Sequence, residues 1–160
     1  MRYGYIGLGN LGANCAGCLL RAGFDLTVND ASRNAAEGLI GQGARWADSA
    51  ADLAAGVDHV ITCLPSPAVS EQVLRAILPE MRPGATWIEM STLGRDDVLR
   101  LAGLAATAGV RMLELPVTGG VHLAARGEIT MLTGGDAELV ELHRPAMAAM
   151  GSRIFHMGPL

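Results

Sequence analysis

Three glycines and one acid near the start of the chain carry its most readable chemistry. Gly7, Gly9 and Gly12 fall at Gly-x-Gly-x-x-Gly spacing within Gly7-Leu8-Gly9-Asn10-Leu11-Gly12, after the apolar run Tyr3-Gly4-Tyr5-Ile6 and before a helical pattern. Such glycines permit a tight turn, close backbone approach to a pyrophosphate and close packing of helix on strand. The following helix would aim its unpaired amides and positive dipole end at the phosphates. Asp30 stands at the end of the next strand-like run, Asp25–Asn29, 18 residues beyond Gly12. A carboxylate there can accept both hydroxyls of an adenosine ribose and repels a 2'-phosphate, so the pattern predicts NAD in preference to NADP. Two alternatives stay open. Arg33 could turn toward a phosphate, and Asp30 could be an ordinary turn acid before a Ser32 N-cap.

Further along, two polar turns follow apolar runs, where ligands of open α/β sheets bind. Ser91-Thr92 ends Ala85–Met90, and Pro116-Val117-Thr118-Gly119-Gly120 follows Val110–Leu115. In the second turn, Gly119 and Gly120 would let amides crowd toward an anion while Thr118 adds a hydroxyl. That suits a substrate carboxylate, with a mobile loop as the alternative. Cys15 and Cys18 have redox-motif spacing but lie one helical turn apart with no second pair nearby, so we read them, with Cys63, as reduced packing residues. No metal site is expected. His59 heads a strand without a ligand-like companion and reads as a surface histidine.

The elements that must position these residues alternate as strand and helix. Helices are predicted over Asn10–Ala22 with Gly23 as the stop, Ser32–Gly41, Asp48–Ala55, Pro67–Leu78 after a Ser66 N-cap, Arg95–Ala108, and from Asp136 to Met150. Strands are predicted between them, including Gly43–Ala47, Asp58–Leu64, Glu128–Thr133 and Arg153–His156. Asp58–Leu64 is nearly continuous in apolar residues, as a central strand covered on both faces should be. The fold class is therefore α/β, a Rossmann-type mostly parallel sheet with helices on both faces. The link from the Leu115 strand to the Glu128 strand is short for a helical crossover, so one antiparallel strand is expected near the C-terminus.

Length and composition agree with one dinucleotide-binding domain over residues 1–160, with a core built from aliphatic residues because only six of the 160 are aromatic. A net charge of -4 without a basic cluster argues against nucleic acid. No apolar run is long enough for a membrane span and the start lacks a secretory pattern, so a cytoplasmic protein is expected.

Four stretches together resemble the NAD-binding domain of the β-hydroxyacid dehydrogenases, the family that includes 3-hydroxyisobutyrate, tartronate semialdehyde and 6-phosphogluconate enzymes. They are Gly7–Gly12, Leu64-Pro65 with Ser66-Pro67-Ala68-Val69, Glu89-Met90-Ser91-Thr92, and Pro116–Gly120 with Gly127 beyond. The resemblance implies that Gly7, Leu8, Gly9, Asn10, Leu11, Gly12 and Asp30 bind the cofactor's adenosine and pyrophosphate. It places Leu64, Pro65, Val69 and Thr92 near ribose and nicotinamide, with Thr118, Gly119 and Gly120 on the carboxylate of a small hydroxyacid. His122 and Arg126 face either the substrate or solvent. The chain departs from the family with Thr118 in place of the usual Ser, Glu89 and Glu114 in place of Asp, and Leu93-Gly94 without the usual proline. The family's catalytic lysine follows a glycine-rich segment like Gly158-Pro159, and this chain has no lysine at all. The expectation is thus a domain whose all-helical substrate and dimerisation half, with the lysine beyond Leu160, lies elsewhere, and whose intact enzyme is a homo-oligomer. An imine reductase using NADP and a non-catalytic dinucleotide sensor are the competing readings.

Overall fold

The computed structural model describes residues 1–160. Strand β1 (Arg2–Ile6) enters the glycine turn and helix α1 (Asn10–Arg21), and β2 (Asp25–Asn29) returns beside β1 in parallel. Gly23, at φ +84, ends α1: its amide bonds to Leu20 O while the Phe24 amide bonds to Leu19 O, a closed left-handed stop. The helix expected over residues 32–41 is a 3-10 turn at Arg33–Ala36 followed by α2 (Glu37–Ile40), and the next strand shortens to β3 (Arg45–Trp46). Then come α3 (Ala50–Gly56), β4 (His59–Thr62), α4 (Pro67–Ile77), β5 (Thr86–Glu89), α5 (Arg95–Thr107) and β6 (Arg111–Glu114). Ser49 and Ser66 cap α3 and α4 by accepting the amides of Asp52 and Val69 at 3.0 and 3.3 Å.

Two short elements lie in the stretch read as a loop, β7 (Val117–Thr118) and α6 (Val121–Arg126). The chain finishes with β8 (Ile129–Gly134), α7 (Ala137–Met150) and β9 (Gly151–Gly158). The sheet order is β3-β2-β1-β4-β5-β6-β8-β7, with β9 on β8. Strands β1 to β6 are mutually parallel; the expected reversal occurs at β8, antiparallel to β6 and β7, and β9 runs alongside β8 in its direction.

Each face of the sheet buries its own apolar cluster, as parallel strands covered on both sides require. One joins Tyr3, Tyr5, Leu19 and Val28 with Leu139 and Met147. The other sets Leu53, Leu74 and Leu101 against Val60, Trp87 and Met112.

His59 is not at the surface. It is 9% exposed, because the central strand that it heads is covered by α7, and its Nδ1 accepts the Thr86 amide at 3.1 Å. His143 of α7 lies edge-on to it with ring centroids 4.5 Å apart, and His143 Nδ1 is 2.8 Å from the Tyr3 hydroxyl. Burial holds His59 below the usual imidazole range and takes His143 from 6.5 to about 3, with lesser contributions from His59 and Arg111. A depressed imidazole stabilises the fold above the unfolded value, and that share is lost as pH falls toward the folded value. Unfolding free energies from denaturant titration should therefore decline below about pH 6.5, at up to roughly 1.4 kcal/mol per pH unit for each such group. His143→Gln should flatten the decline. An equally steep variant profile would contradict the assignment.

Candidate cofactor site

The order β3-β2-β1-β4-β5-β6 places the change of winding direction between β1 and β4, where an open sheet leaves a crevice beyond its strand ends. A cleft of about 880 Å³ lies there. Its floor is the glycine turn. Gly7, at φ +95, faces the Cys63 carbonyl, and a Cβ on Gly7 would overlap that oxygen; a Cβ on Gly12 would overlap the Gly7 carbonyl. Gly9 differs, since a Cβ there meets nothing within 4 Å and its φ of -66 suits any residue. Two of the glycines are thus demanded by packing. The third keeps space free above the turn.

The first main-chain bond of α1 runs from the Ala13 amide to Gly9 O at 3.0 Å, leaving the Asn10, Leu11 and Gly12 amides without intrahelical acceptors at the end facing the cleft. Those donors, the helix dipole and the open space over Gly9 fit a pyrophosphate. Asp30 closes one end of the cleft. Its Oδ2 accepts the Leu8 amide at 2.7 Å and its Oδ1 accepts the Ser32 amide at 2.8 Å, so the carboxylate is fixed in place with lone pairs to spare. The turn-acid role is met, and it leaves the carboxylate lining the cleft. Arg33 is directed elsewhere: its guanidinium lies 5.6 Å over the Trp46 ring and 3.9 Å from Asp48, which also accepts the Trp46 indole N–H at 2.8 Å.

Of the residues singled out by sequence, Gly7, Gly9, Asn10, Leu11 and Gly12 line the cleft beside Asp30. Leu64, Pro65 and Val69 form its opposite wall. Leu8 is buried and contributes its amide to Asp30. Thr92, Thr118, Gly119 and Gly120 lie outside this cleft, Thr92 beyond the end of β5, Thr118 as the last residue of β7 and the two glycines just past it, with Thr92 and Thr118 exposed. Sequence reasoning missed Ser49, Gln72 and Val73 as lining residues and treated Cys63 as packing alone, though it too borders the cleft. Gln72 and Val73 follow Val69 at the three- and four-residue spacing of one helix face, which was the available clue. Burial, with a lesser effect of Glu89, pushes the Cys63 thiol up to about 11, away from the thiolate form that reacts.

A glycine cradle at the winding reversal, exposed helix amides and a fixed acid at the second strand define a dinucleotide-binding domain of the Rossmann class. The chain also matches the NAD binding domain of 6-phosphogluconate dehydrogenase over residues 2–158, and it belongs to that family. It is 40% identical to the NAD-dependent L-serine dehydrogenase of Pseudomonas aeruginosa, over 97% of this chain and 53% of that protein. The 3-hydroxyisobutyrate dehydrogenase of Mycobacterium tuberculosis, solved with L-serine, superimposes with TM-score 0.95 at 32% identity, covering 99% of this chain and 55% of the other. An imine reductase from Myxococcus stipitatus in complex with NADP+ shares the fold, with TM-score 0.92 at 23% identity over 99% of this chain and 55% of that one. The chain therefore spans about half the length of the relatives that it matches.

Gly12→Ala should cost about 1–3 kcal/mol, the usual range for an overpacked site, because backbone rather than a flexible side chain must yield. Gly9→Ala should leave thermal stability close to the parent. Equal melting temperatures for the two variants would refute this division of labour.

Proposed function

We propose that the chain is the NAD-binding part of a dehydrogenase acting on a small hydroxyacid of the 3-hydroxyisobutyrate or glycerate type. The observation that carries the reading is the single cleft that brings the open glycine, the free amides of α1 and the fixed Asp30 together. Gly7 to Gly12 would hold the pyrophosphate, and Asp30 the adenosine ribose. Leu64, Pro65 and Val69 would line the cofactor toward its nicotinamide end, near Thr92. Thr118, Gly119 and Gly120 would take the substrate carboxylate through one hydroxyl and main-chain amides. Bound nicotinamide would supply the hydride acceptor, and the chain's own residues supply position and exclusion of water.

Asp30 supports NAD over NADP because its carboxylate would face a 2'-phosphate, while Arg33, drawn to Trp46 and Asp48, is not turned to neutralise one. A general base must reach the substrate hydroxyl directly or through one water. The chain has no lysine to serve as that base, so in this reading it binds cofactor without turnover. The helical half that the resemblance implies would bring the lysine and join subunits into an oligomer, in the cytoplasm. No helix here is long and apolar enough to cross a membrane.

Fluorescence titration with both reduced dinucleotides tests the proposal. The parent should bind NADH more tightly than NADPH. Gly9→Ala should weaken NADH at least about tenfold, or roughly 1.4 kcal/mol, despite its intact fold. Asp30→Ala should weaken NADH by a similar factor while sparing NADPH. A parent that prefers NADPH would overturn the role given to Asp30, and NADH formation by this chain alone from NAD+ and hydroxyacids would overturn the argument from the missing base.

A further inference from the structure

Glu89 ends β5 and is fully buried, yet none of the chain's ion pairs includes it. Its Oε1 accepts the Ser91 amide at 2.8 Å and the Ser91 hydroxyl as well. Ser91 Oγ in turn accepts the Leu64 amide at 2.7 Å. One carboxyl oxygen therefore fixes, through one hydroxyl, the backbone that carries Leu64 and Pro65 into the cleft.

The other oxygen, Oε2, is buried without a completed hydrogen bond, and so is Ser70 Oγ. Ser70 belongs to α4, which also presents Val69 and Gln72 to the cleft. A buried carboxylate oxygen lacking a donor is costly, whereas a protonated one is itself a donor. We infer that Glu89 is a positioning residue which, as a neutral carboxylic acid, latches the ends of β4 and β5 and the start of α4 together and so holds the Leu64–Val69 wall in its cofactor-binding place.

The surroundings favour that form. Burial raises Glu89 above the usual carboxyl range, opposed first by its bonds from Ser91 and then by the nearby hydroxyls of Ser70 and Thr62. The titratable groups beside it are the Cys63 thiol at the end of β4 and Glu114, its register partner on β6, itself raised by burial. The side chain that α4 contributes, Ser70, is uncharged. Neither neighbour brings the positive charge that would restore a carboxylate. Because the shift is upward, the acid form persists above the usual carboxyl range, and the latch is lost as pH rises past the raised value.

The inference rests on the dinucleotide reading above, and its test separates the two. NADH affinity is measured on the intact chain from mildly acidic to alkaline pH, for the parent, Glu89→Gln and Glu89→Ala, with melting temperatures alongside. The parent should weaken as pH rises past the raised Glu89 value. Glu89→Gln keeps a donor and an acceptor in the same volume, so it should stay within about twofold of the parent at the acidic end and lack that weakening, while Glu89→Ala should bind about tenfold more weakly there. Should Glu89→Ala fail to fold, the profile of Glu89→Gln decides: the parent's weakening with rising pH retained in it, or a loss approaching tenfold at the acidic end, overturns the latch. Absence of NADH binding by the parent overturns the dinucleotide reading itself.

Discussion

Helix α1 can aim its amides into the cleft only because it lies almost in contact with the turn that precedes it. Gly12 abuts the Gly7 carbonyl, and Gly7 abuts the Cys63 carbonyl just past β4, so hydrogen stands wherever a side chain would force the layers apart. The attraction that closes this contact comes from the apolar side of α1. Cys15, Ala16 and Leu19 are wholly buried, and a Leu side chain alone contributes about 1.5–3 kcal/mol on burial. Core packing and ligand geometry are thus one constraint seen from its two ends.

Around that contact the sheet places the groups that line or brace the cleft by extending its own ladder. The Gly7 amide bonds to Asn29 O, Cys63 to Ile6 O and Met90 to Thr62 O, each one rung beyond the paired strands. Asp30, Leu64 and Ser91 are the residues that immediately follow Asn29, Cys63 and Met90. They therefore start from sheet geometry and not from a free loop. Side-chain bonds complete the arrangement: Asp30 to the Leu8 amide on one side, Ser91 to the Leu64 amide on the other. A site built on rigid strand ends keeps its spacing without a bound ligand to organise it.

Most of this was legible because local and global requirements coincide over the first half of the chain. The glycine spacing, the Ser66-Pro67 helix start and the apolar run of β4 each have one physical solution, and the structure adopts it. His59 was misread because a strand-leading polar residue looks solvated until α7, far away in sequence, is laid over it with His143 and Tyr3 to accept it. The Glu89 carboxyl was visible only as a departure from a resembling pattern. Its burial, and the link through Ser91 to Leu64, depend on contacts between strand ends 25 residues apart in sequence, from 64 to 89, which no local periodicity encodes.

The stretch from Pro116 to Gly127 shows the same limit and carries a consequence for the substrate side. Six residues cannot sustain an isolated helix, so α6 leaves no readable pattern and exists through tertiary contacts. Arg21 donates to Ala125 O at 2.8 Å, Cys18 donates weakly to Ala124 O at 3.2 Å, and Gly127, at φ +71, closes the helix beneath the Ala149 carbonyl. Both donors come from the last turns of α1, so the cysteine pair that resembles a redox motif works as one packing thiol and one brace. The Thr118-Gly119-Gly120 turn, pinned on its other flank by Thr118 opposite Thr130, inherits its position from the helix whose first turn faces the dinucleotide cleft. Any movement of α1 must therefore reach both the cleft and the Thr118–Gly120 turn at once, which makes the Gly7–Gly12 contact their common reference.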